Sequence, residues 1–161
     1  MSIPRDGGTS RSRVSVHARA RARRLALQAL YQWQMTGLDI AEIETQFMLE
    51  ANPRKVDTDY FRELLHQVPR QLERIDASLS GCVDRPVNEV DPVERSILRI
   101  AAYELLFRKD VPWRVVINEA LELSKTFGAE LGYKYVNGVL DKLARSVYGE
   151  MEPAVRGRDG R

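Results

Sequence analysis

Cysteine, histidine and long apolar stretches are all scarce in this sequence of 161 residues. The single cysteine, Cys82, cannot form a disulfide within the chain, which excludes a disulfide-stapled secreted scaffold and favours a reducing compartment. No segment approaches the roughly 20 apolar residues that a membrane-spanning helix requires. The first residues also lack the apolar stretch of a secretory signal. We therefore expect a cytoplasmic protein without a membrane partner.

The motifs of common catalytic and cofactor sites are missing as well. The sequence has no glycine-rich phosphate loop, no Gly-x-Ser-x-Gly elbow and no Cys-x-x-Cys pair. Glu63 and His66 have the spacing of two metal ligands on one helix, but a di-iron bundle needs a second copy and two further carboxylates. Glu119 and Glu122 also share a helical face, which a solvated surface explains. We expect no enzyme, no catalytic residue, no cofactor and no metal.

Lysine is absent from the first 24 residues, whereas arginine is abundant there. Seven arginines and one acid give this segment a charge of +6, and since the whole chain is only +2, residues 25–161 carry −4. A guanidinium can grip phosphate at two points and stack on bases. The charge pattern predicts contact with nucleic acid, with a solubilising tail as the alternative. Four of these arginines immediately precede an apolar helix: Arg19, Arg21, Arg23 and Arg24.

Apolar residues recur at helical spacing in almost every segment, and the helix ends carry clear signals. Gly37 predicts the end of the first helix and Asp57 the start of a later one, whereas Pro69 predicts a kink or a restart. The best-marked start is Asp91, followed by proline and by Glu94 at the third helical position, where both carboxylates can satisfy free amides. The pattern predicts an all-α fold of about seven helices, as one domain or as two small subdomains that share a core.

Composition divides the chain into three parts. We expect residues 1–17 to be a disordered basic arm and residues 150–161 to be a disordered tail, because both are poor in apolar residues. Residues 18–149 form the predicted helical domain, with subdomains at 18–82 and 87–149.

Asn137 and Gly138 form a dipeptide that is typical of a tight hairpin. The helical spacing of apolar residues continues past it, so we predict a helix here instead. A glycine inside a helix costs roughly 1 kcal/mol relative to alanine. Gly138 therefore indicates close approach to another part of the backbone or to a ligand.

Several segments, in order and at matching spacing, resemble the NusB family of bacterial transcription antitermination factors. In the second half they are LRIAAYEL (98–105), VP (111–112), INEA (117–120), ELSKTFG (122–128) and YVNGVLD (135–141). In the first half, the arginine-rich start with ALYQWQ (29–34) resembles the first helix of the family, and YFR (60–62) resembles the third.

The resemblance implies a fold, a ligand and partners. Family members are all-helical, with two small bundles. They bind the single-stranded boxA element of ribosomal RNA transcripts together with ribosomal protein S10, which in this role is NusE. The pair joins RNA polymerase and other Nus factors in a complex that suppresses termination. Some members look dimeric through the RNA face, so a homodimer is a possible further state.

The resemblance also implies roles for particular residues. The four arginines would contact phosphate, and Lys134 with Tyr135 matches a basic–aromatic step at which the ring meets a base. Lys125 and Asn137 are further RNA-binding candidates. Leu131 stands where the family often has an acidic or polar residue, and loss of an acid there would favour RNA by charge alone.

Two residues match family positions near the S10 contact, namely Tyr31 and Glu94. These two residues, as well as Tyr135 and Asn137, also have a purely structural interpretation. Tyr31 would be a core residue, Glu94 a helix cap, Tyr135 a half-buried helix residue, and Asn137 with Gly138 a site of tight helix packing.

Two other functions remain open from the sequence. One is a helical module similar to the N-terminal domain of a ribosomal RNA cytosine methyltransferase, although the chain has no room for the catalytic domain. The other is a non-catalytic protein–protein scaffold, whose acidic body binds a basic partner without RNA.

Overall fold

The structure is a computed structural model that describes the backbone of residues 3–149 and the side chains of residues 16–149. Within that range it consists of seven α-helices and one short 3-10 helix at Val87–Glu89. The α-helices are α1 Ile3–Thr36, α2 Ile40–Glu50, α3 Thr58–Arg70, α4 Leu72–Ser80, α5 Pro92–Phe107, α6 Trp113–Phe127 and α7 Gly132–Tyr148. Residues 3–149 contain no strand, so the predicted all-α fold is confirmed.

The helices form two compact units that divide between Leu72 and Glu73. In the first unit α1 packs against α2 and α3, which also pack against each other. In the second unit α5, α6 and α7 pack mutually, and the 3-10 helix packs on α5. Most of α4 belongs to the second unit, where Arg99 of α5 donates to both oxygens of Asp76 at 3.0 and 2.8 Å. The sequence placed the boundary later, after residue 82.

Most of the predicted disordered arm, residues 1–17, lies where the structure describes the backbone at most and no side chains. Helix α1 begins at Ile3, so the described part of that segment is helical. Arginine and alanine are among the strongest helix formers and dominate residues 18–24, which favours continuous helix into this region. Residues 1–2 and the predicted tail at 150–161 lie outside the described range.

Local signals at the helix ends act as the sequence predicts. Gly37 has φ +71° and its N–H donates to the carbonyl of Trp33 at 2.9 Å, which ends α1. The Asp57 carboxylate accepts from the amide of Tyr60 at 3.1 Å and caps α3. The expected restart near Pro69 also occurs, since α3 ends at Arg70 and α4 begins at Leu72.

The apolar faces of the helices form a core in each unit. A fully buried side chain of this kind stabilises the fold by about 1.5–3 kcal/mol relative to its exposed state. In the first unit the largest fully buried side chains are Leu30, Ile43, Phe61, Leu64 and Leu65. In the second they are Ile75, Leu79, Ile97, Leu98, Ile100, Leu105 and Leu140. Among the described helices, none combines the length and apolar character that crossing a bilayer demands.

Candidate nucleic-acid interface

Two of the four arginines on α1 are used inside the first unit. The guanidinium carbon of Arg19 lies 4.2 Å from the centre of the Tyr60 ring, and its Nε lies 3.5 Å from Asp57. Arg23 is only 3% exposed and lies 5.5 Å from the same ring. Both side chains therefore attach α1 to the start of α3 by cation–π contacts. The sequence had grouped them with the RNA-binding arginines.

The other two arginines, Arg21 and Arg24, face solvent. Arg21 Nη1 donates to the carbonyl of Lys55 at 3.4 Å, which places it beside the loop between α2 and α3. That loop also carries Arg54, and both Arg54 and Lys55 are exposed. Arg21, Arg54 and Lys55 thus form a basic surface, here called the α1 basic surface. Sequence reasoning missed the two loop residues, because only the fold brings them to α1.

Tyr31 lies on the outer face of α1 and is 37% exposed, so it is not a core residue. Arg24 is seven residues before it and Met35 four residues after it, which puts all three on one helical face. Met35 and Leu38 are also exposed. The first unit therefore presents an amphipathic strip that is basic at Arg24 and apolar from Tyr31 onward.

In the second unit, α7 has an open outer face. Lys134, Asn137 and Gly138 are exposed and neighbour one another on this face, here called the α7 ridge. A Cβ added to Gly138 would meet nothing within 4 Å. Tight packing against the described parts of the chain therefore does not explain this glycine, and the ridge leaves room for a ligand.

Tyr135 lies at one side of the α7 ridge, where it is half-buried. Its hydroxyl donates to Asp84 Oδ1 at 3.4 Å, and the guanidinium carbon of Arg85 lies 5.4 Å from its ring centre. Burial, followed by the negative charge of Asp84, raises the pKa of Tyr135. The hydrogen bond from Arg85 lowers the pKa of Asp84. The phenol is therefore neutral at physiological pH and keeps its proton for donation.

Tyr133 lies at the other side of the same ridge. An α-helix turns about 100° per residue, so Tyr133 and Tyr135 point to opposite sides of Lys134. The Nζ of Lys125 lies 5.2 Å from the Tyr133 ring centre. Both tyrosines thus carry a cation over the ring. Sequence reasoning named Lys125 and Tyr135 but missed Tyr133, Asp84 and Arg85.

Glu94 lies inside the second unit rather than on its surface, with an exposure of 5%. Its Oε2 accepts from the amide of Ala129 at 3.2 Å, across the loop between α6 and α7. A Cβ on Gly128 would lie 2.7 Å from Oε2, and one on Gly132 would also collide with this carboxylate. Burial, followed by the negative charge of Asp91, raises the pKa of Glu94.

The amides at the start of α5 are capped by Asp91 instead. Its Oδ2 accepts from the amides of Val93 at 3.1 Å and Glu94 at 3.3 Å. The predicted aspartate cap is therefore confirmed, while the glutamate side chain holds the distant loop. The sequence offered no signal for this bond, because Glu94 and Ala129 are far apart along the chain.

Leu131 ends that loop in an unusual conformation. Its φ is +98°, in the left-handed region, and its side chain is exposed directly before the first residue of α7. Branched and bulky residues rarely adopt this conformation, whereas asparagine and aspartate tolerate it.

His66, which has the spacing of a metal-ligand pair with Glu63, contacts a carboxylate of α2. His66 Nε2 lies 2.6 Å from Glu44 Oε1, and Arg62 Nε donates to the other oxygen of Glu44 at 2.9 Å. Among residues with described side chains, no three potential ligands cluster around a common point. His66 thus joins α3 to α2.

The pattern of the NusB family matches residues 20–145. The transcription antitermination protein NusB of Shewanella piezotolerans (strain WP3 / JCM 13877) is 56% identical over 125 residues, which cover 78% of this chain and 93% of that protein. The NusB protein of Alcanivorax borkumensis (strain ATCC 700651 / DSM 11573 / NCIMB 13689 / SK2) is 55% identical over 130 residues, which cover 81% of this chain and 87% of that protein.

One solved structure with a similar fold contains a partner and RNA. It is a crystal structure of the antitermination factors NusB and NusE in complex with double-stranded RNA. It aligns with a TM-score of 0.71 and 27% identity, covering 79% of this chain and 96% of that chain.

Proposed function

This chain belongs to the NusB family, and from that premise we propose that it is a non-catalytic transcription antitermination factor. In this role it binds the boxA RNA of ribosomal RNA transcripts together with ribosomal protein S10, also called NusE. The complex, with other Nus factors, helps RNA polymerase to read through terminators. The site of action is the cytoplasm, where the transcript is made.

The observation that carries the RNA-binding proposal is the open α7 ridge between Tyr133 and Tyr135, each of which has a cationic side chain over its ring. Proteins bind single-stranded RNA with a positive track and with aromatic rings on which bases stack. Lys134 and Asn137 supply polar groups on the ridge, and Gly138 lets a sugar-phosphate chain approach the helix closely. Tyr135 and Lys125 belong to the sides of the ridge. The known relatives named as antitermination proteins support the same role.

The first unit contributes phosphate contacts through the α1 basic surface and Arg24. Exposed guanidinium groups are available to phosphate oxygens, so we assign this role to Arg21 and Arg24. Arg19 and Arg23 contribute differently, because their contacts with Tyr60 fix the helix that carries the exposed pair.

The contact with S10 is assigned to the apolar part of α1 around Tyr31. Aromatic residues and methionine are enriched at the centres of protein interfaces, and Tyr31 and Met35 are exposed side by side. Glu94 is buried, so its role in the partner contact is to hold the loop between α6 and α7 in place.

A fluorescence-anisotropy titration tests this function. The labelled ligand is a short single-stranded boxA RNA, a scrambled RNA of equal length is the control, and both are measured with and without S10. We expect sequence-selective binding that tightens when S10 is present. Equal, salt-sensitive binding to both RNAs with no effect of S10 contradicts the proposal. Sedimentation of the free protein at the same concentrations shows whether a homodimer competes with RNA.

A protein-only scaffold gives a different result in the same experiment. The acidic body of the chain would then bind S10 while neither RNA binds at any salt concentration. That outcome would favour the scaffold interpretation over the antitermination role.

A further inference from the structure

We propose that Arg85 and Tyr135 form a two-sided clamp for one RNA base, with Asp84 positioning both side chains before the base enters. This inference rests on the proposed RNA-binding function and adds a residue and a mode of contact to it. Arg85 lies in the connector between α4 and the 3-10 helix, outside the segments that carry the family resemblance.

One carboxylate organises the clamp. Asp84 Oδ1 accepts from Arg85 Nε at 2.8 Å and from the Tyr135 hydroxyl at 3.4 Å, and its Oδ2 accepts from Arg85 Nη2 at 3.0 Å. The two-point bond fixes the plane of the guanidinium, and the phenol bond fixes the ring. As a result, the guanidinium carbon lies over the ring at 5.4 Å from its centre.

The backbone of the connector is anchored although its side chains are exposed. Proline at position 86 disfavours a helical backbone at Arg85. Val87 and Val90, at either end of the 3-10 helix, are buried, and this helix packs on α5. Arg85 is thus presented from a fixed point toward α7, with its side chain in solvent.

The contact strengths favour insertion of a base. A solvent-exposed ion pair such as that of Asp84 with Arg85 favours its formed state over its broken state by a factor of about five or less. Stacking of a base on an aromatic ring contributes a factor of about five to more than a hundred. A base therefore displaces the guanidinium outward from the ring at little cost. The guanidinium then stacks on the outer face of that base, which a lysine ammonium cannot do because it is not planar.

The test is a double-mutant cycle with a stacking readout on the full chain. Variants Arg85→Lys, Tyr135→Leu and the double variant are titrated with boxA RNA that carries 2-aminopurine at each position in turn. Arg85→Lys keeps the charge and removes the planar group, and Tyr135→Leu keeps an apolar side chain and removes the ring.

A matched control comes from the same unit. Arg108 and Asp110 form a similar two-point pair, with both bonds at 3.0 Å, after the end of α5. Lys109, the residue after Arg108, lies 5.9 Å from the ring centre of Tyr148 at the end of α7, and Tyr148 is roughly 20 Å from Tyr135 along the axis of that helix. Arg108→Lys is expected to leave RNA affinity unchanged.

We expect Tyr135→Leu to weaken binding about tenfold and Arg85→Lys about threefold, and both to restore the fluorescence of the same 2-aminopurine. In the Tyr135→Leu background, Arg85→Lys has no further effect, because the base that it covered is no longer held. Independent, multiplicative losses would mean that Arg85 contacts phosphate, and tighter binding by Arg85→Lys would mean that it blocks the ring. Either result overturns the clamp.

Failure of the clamp and failure of the proposed function are distinguishable. If the unaltered protein shows no selectivity for boxA RNA, the function itself is wrong. If it binds selectively and Arg85→Lys binds equally well, with no change in 2-aminopurine fluorescence, only the clamp is wrong.

Discussion

At the scale of single residues, two glycines in the second unit have opposite surroundings. A Cβ on Gly128 would lie 2.7 Å from Glu94 Oε2 and 2.8 Å from the backbone oxygen of Ser124. A Cβ on Gly138 would point into open space. Gly128 thus leaves room for the buried carboxylate, whereas Gly138 serves no packing purpose within the described chain.

The same substitution therefore has opposite effects at the two positions. Gly128→Ala should lower the free energy of unfolding by about 1–3 kcal/mol, because a backbone oxygen cannot move aside easily. Gly138→Ala should raise it by about 0.5–1 kcal/mol, because alanine favours a helix. Urea unfolding of both variants measures the difference. If the α7 ridge binds RNA, Gly138→Ala also weakens RNA binding, whereas unchanged affinity would remove close approach as the reason for this glycine.

Leu131 gives a second prediction at this scale. Its left-handed backbone costs a leucine roughly 1–2 kcal/mol, which asparagine and aspartate partly avoid. We expect Leu131→Asn and Leu131→Asp to be equally or more stable than the unaltered protein in thermal unfolding. Only Leu131→Asp should weaken boxA binding, because it adds a negative charge near Lys134. Equal RNA affinity of the two variants would show that charge at this position does not matter.

At the scale of helices, the join between α2 and α3 depends on one carboxylate. The hydrogen bond from His66, followed by the contact with Arg62, lowers the pKa of Glu44. The folded state therefore binds the proton of Glu44 less readily than the unfolded chain does. The stabilisation from this group is complete above the ordinary glutamate pKa of about 4.3 and is lost as the pH falls through the folded value.

The prediction is that Glu44→Gln destabilises the protein at pH 7 by about 0.2–1 kcal/mol, the range for solvent-exposed ion pairs. The difference from the unaltered protein should begin to shrink as the pH falls below the ordinary glutamate pKa, and it should vanish below the lowered pKa of Glu44 in the folded state. Asp59→Asn is the control. Asp59 also pairs with Arg62, but at 3.5 Å instead of the 2.9 Å of Glu44, and its side chain is 97% exposed. A loss of stability that does not vary with pH would assign the effect of Glu44→Gln to packing.

The helix ends show which parts of the structure the sequence alone can predict. Asp57, Asp91 and Gly37 act within a few residues of themselves, so their type and position predict the local structure. The sequence also indicated a local cap at Glu94, but its side chain accepts a hydrogen bond from Ala129 in the loop between α6 and α7. The position of Arg85 over Tyr135 is likewise a product of the fold, since local spacing carries no information on which connector reaches α7.

At the scale of the whole molecule, the excess of arginine near the N-terminus is divided by the helix into two sets. Arg19 and Arg23 lie against Tyr60, whereas Arg21 and Arg24 face solvent. The sequence predicted the charge concentration but not this division, because both sets lie in one short run. Helical geometry alone separates them, and the position of Tyr60 on α3 decides which set is inward.

Two double variants with the same net charge test this division. Arg21→Ala with Arg24→Ala should reduce the slope of log affinity against log salt by about 0.7 for each phosphate that is no longer neutralised, with little change in stability. Arg19→Ala with Arg23→Ala should lower stability by about 1–2 kcal/mol, because it removes the cation–π interactions with Tyr60. Its salt slope for boxA RNA should remain unchanged at temperatures where the protein is folded.

Each double variant is the control for the other, because both remove two positive charges from the same stretch of α1. If long-range attraction by net charge were the whole effect, the two would lose affinity and salt dependence equally. If Arg21 and Arg24 bind phosphate directly, the variant that lacks this exposed pair must lose more affinity and salt dependence than the variant that lacks Arg19 and Arg23. An equal reduction of both slopes would therefore mean that the helix acts only as a diffuse positive field and that Arg21 and Arg24 touch no phosphate.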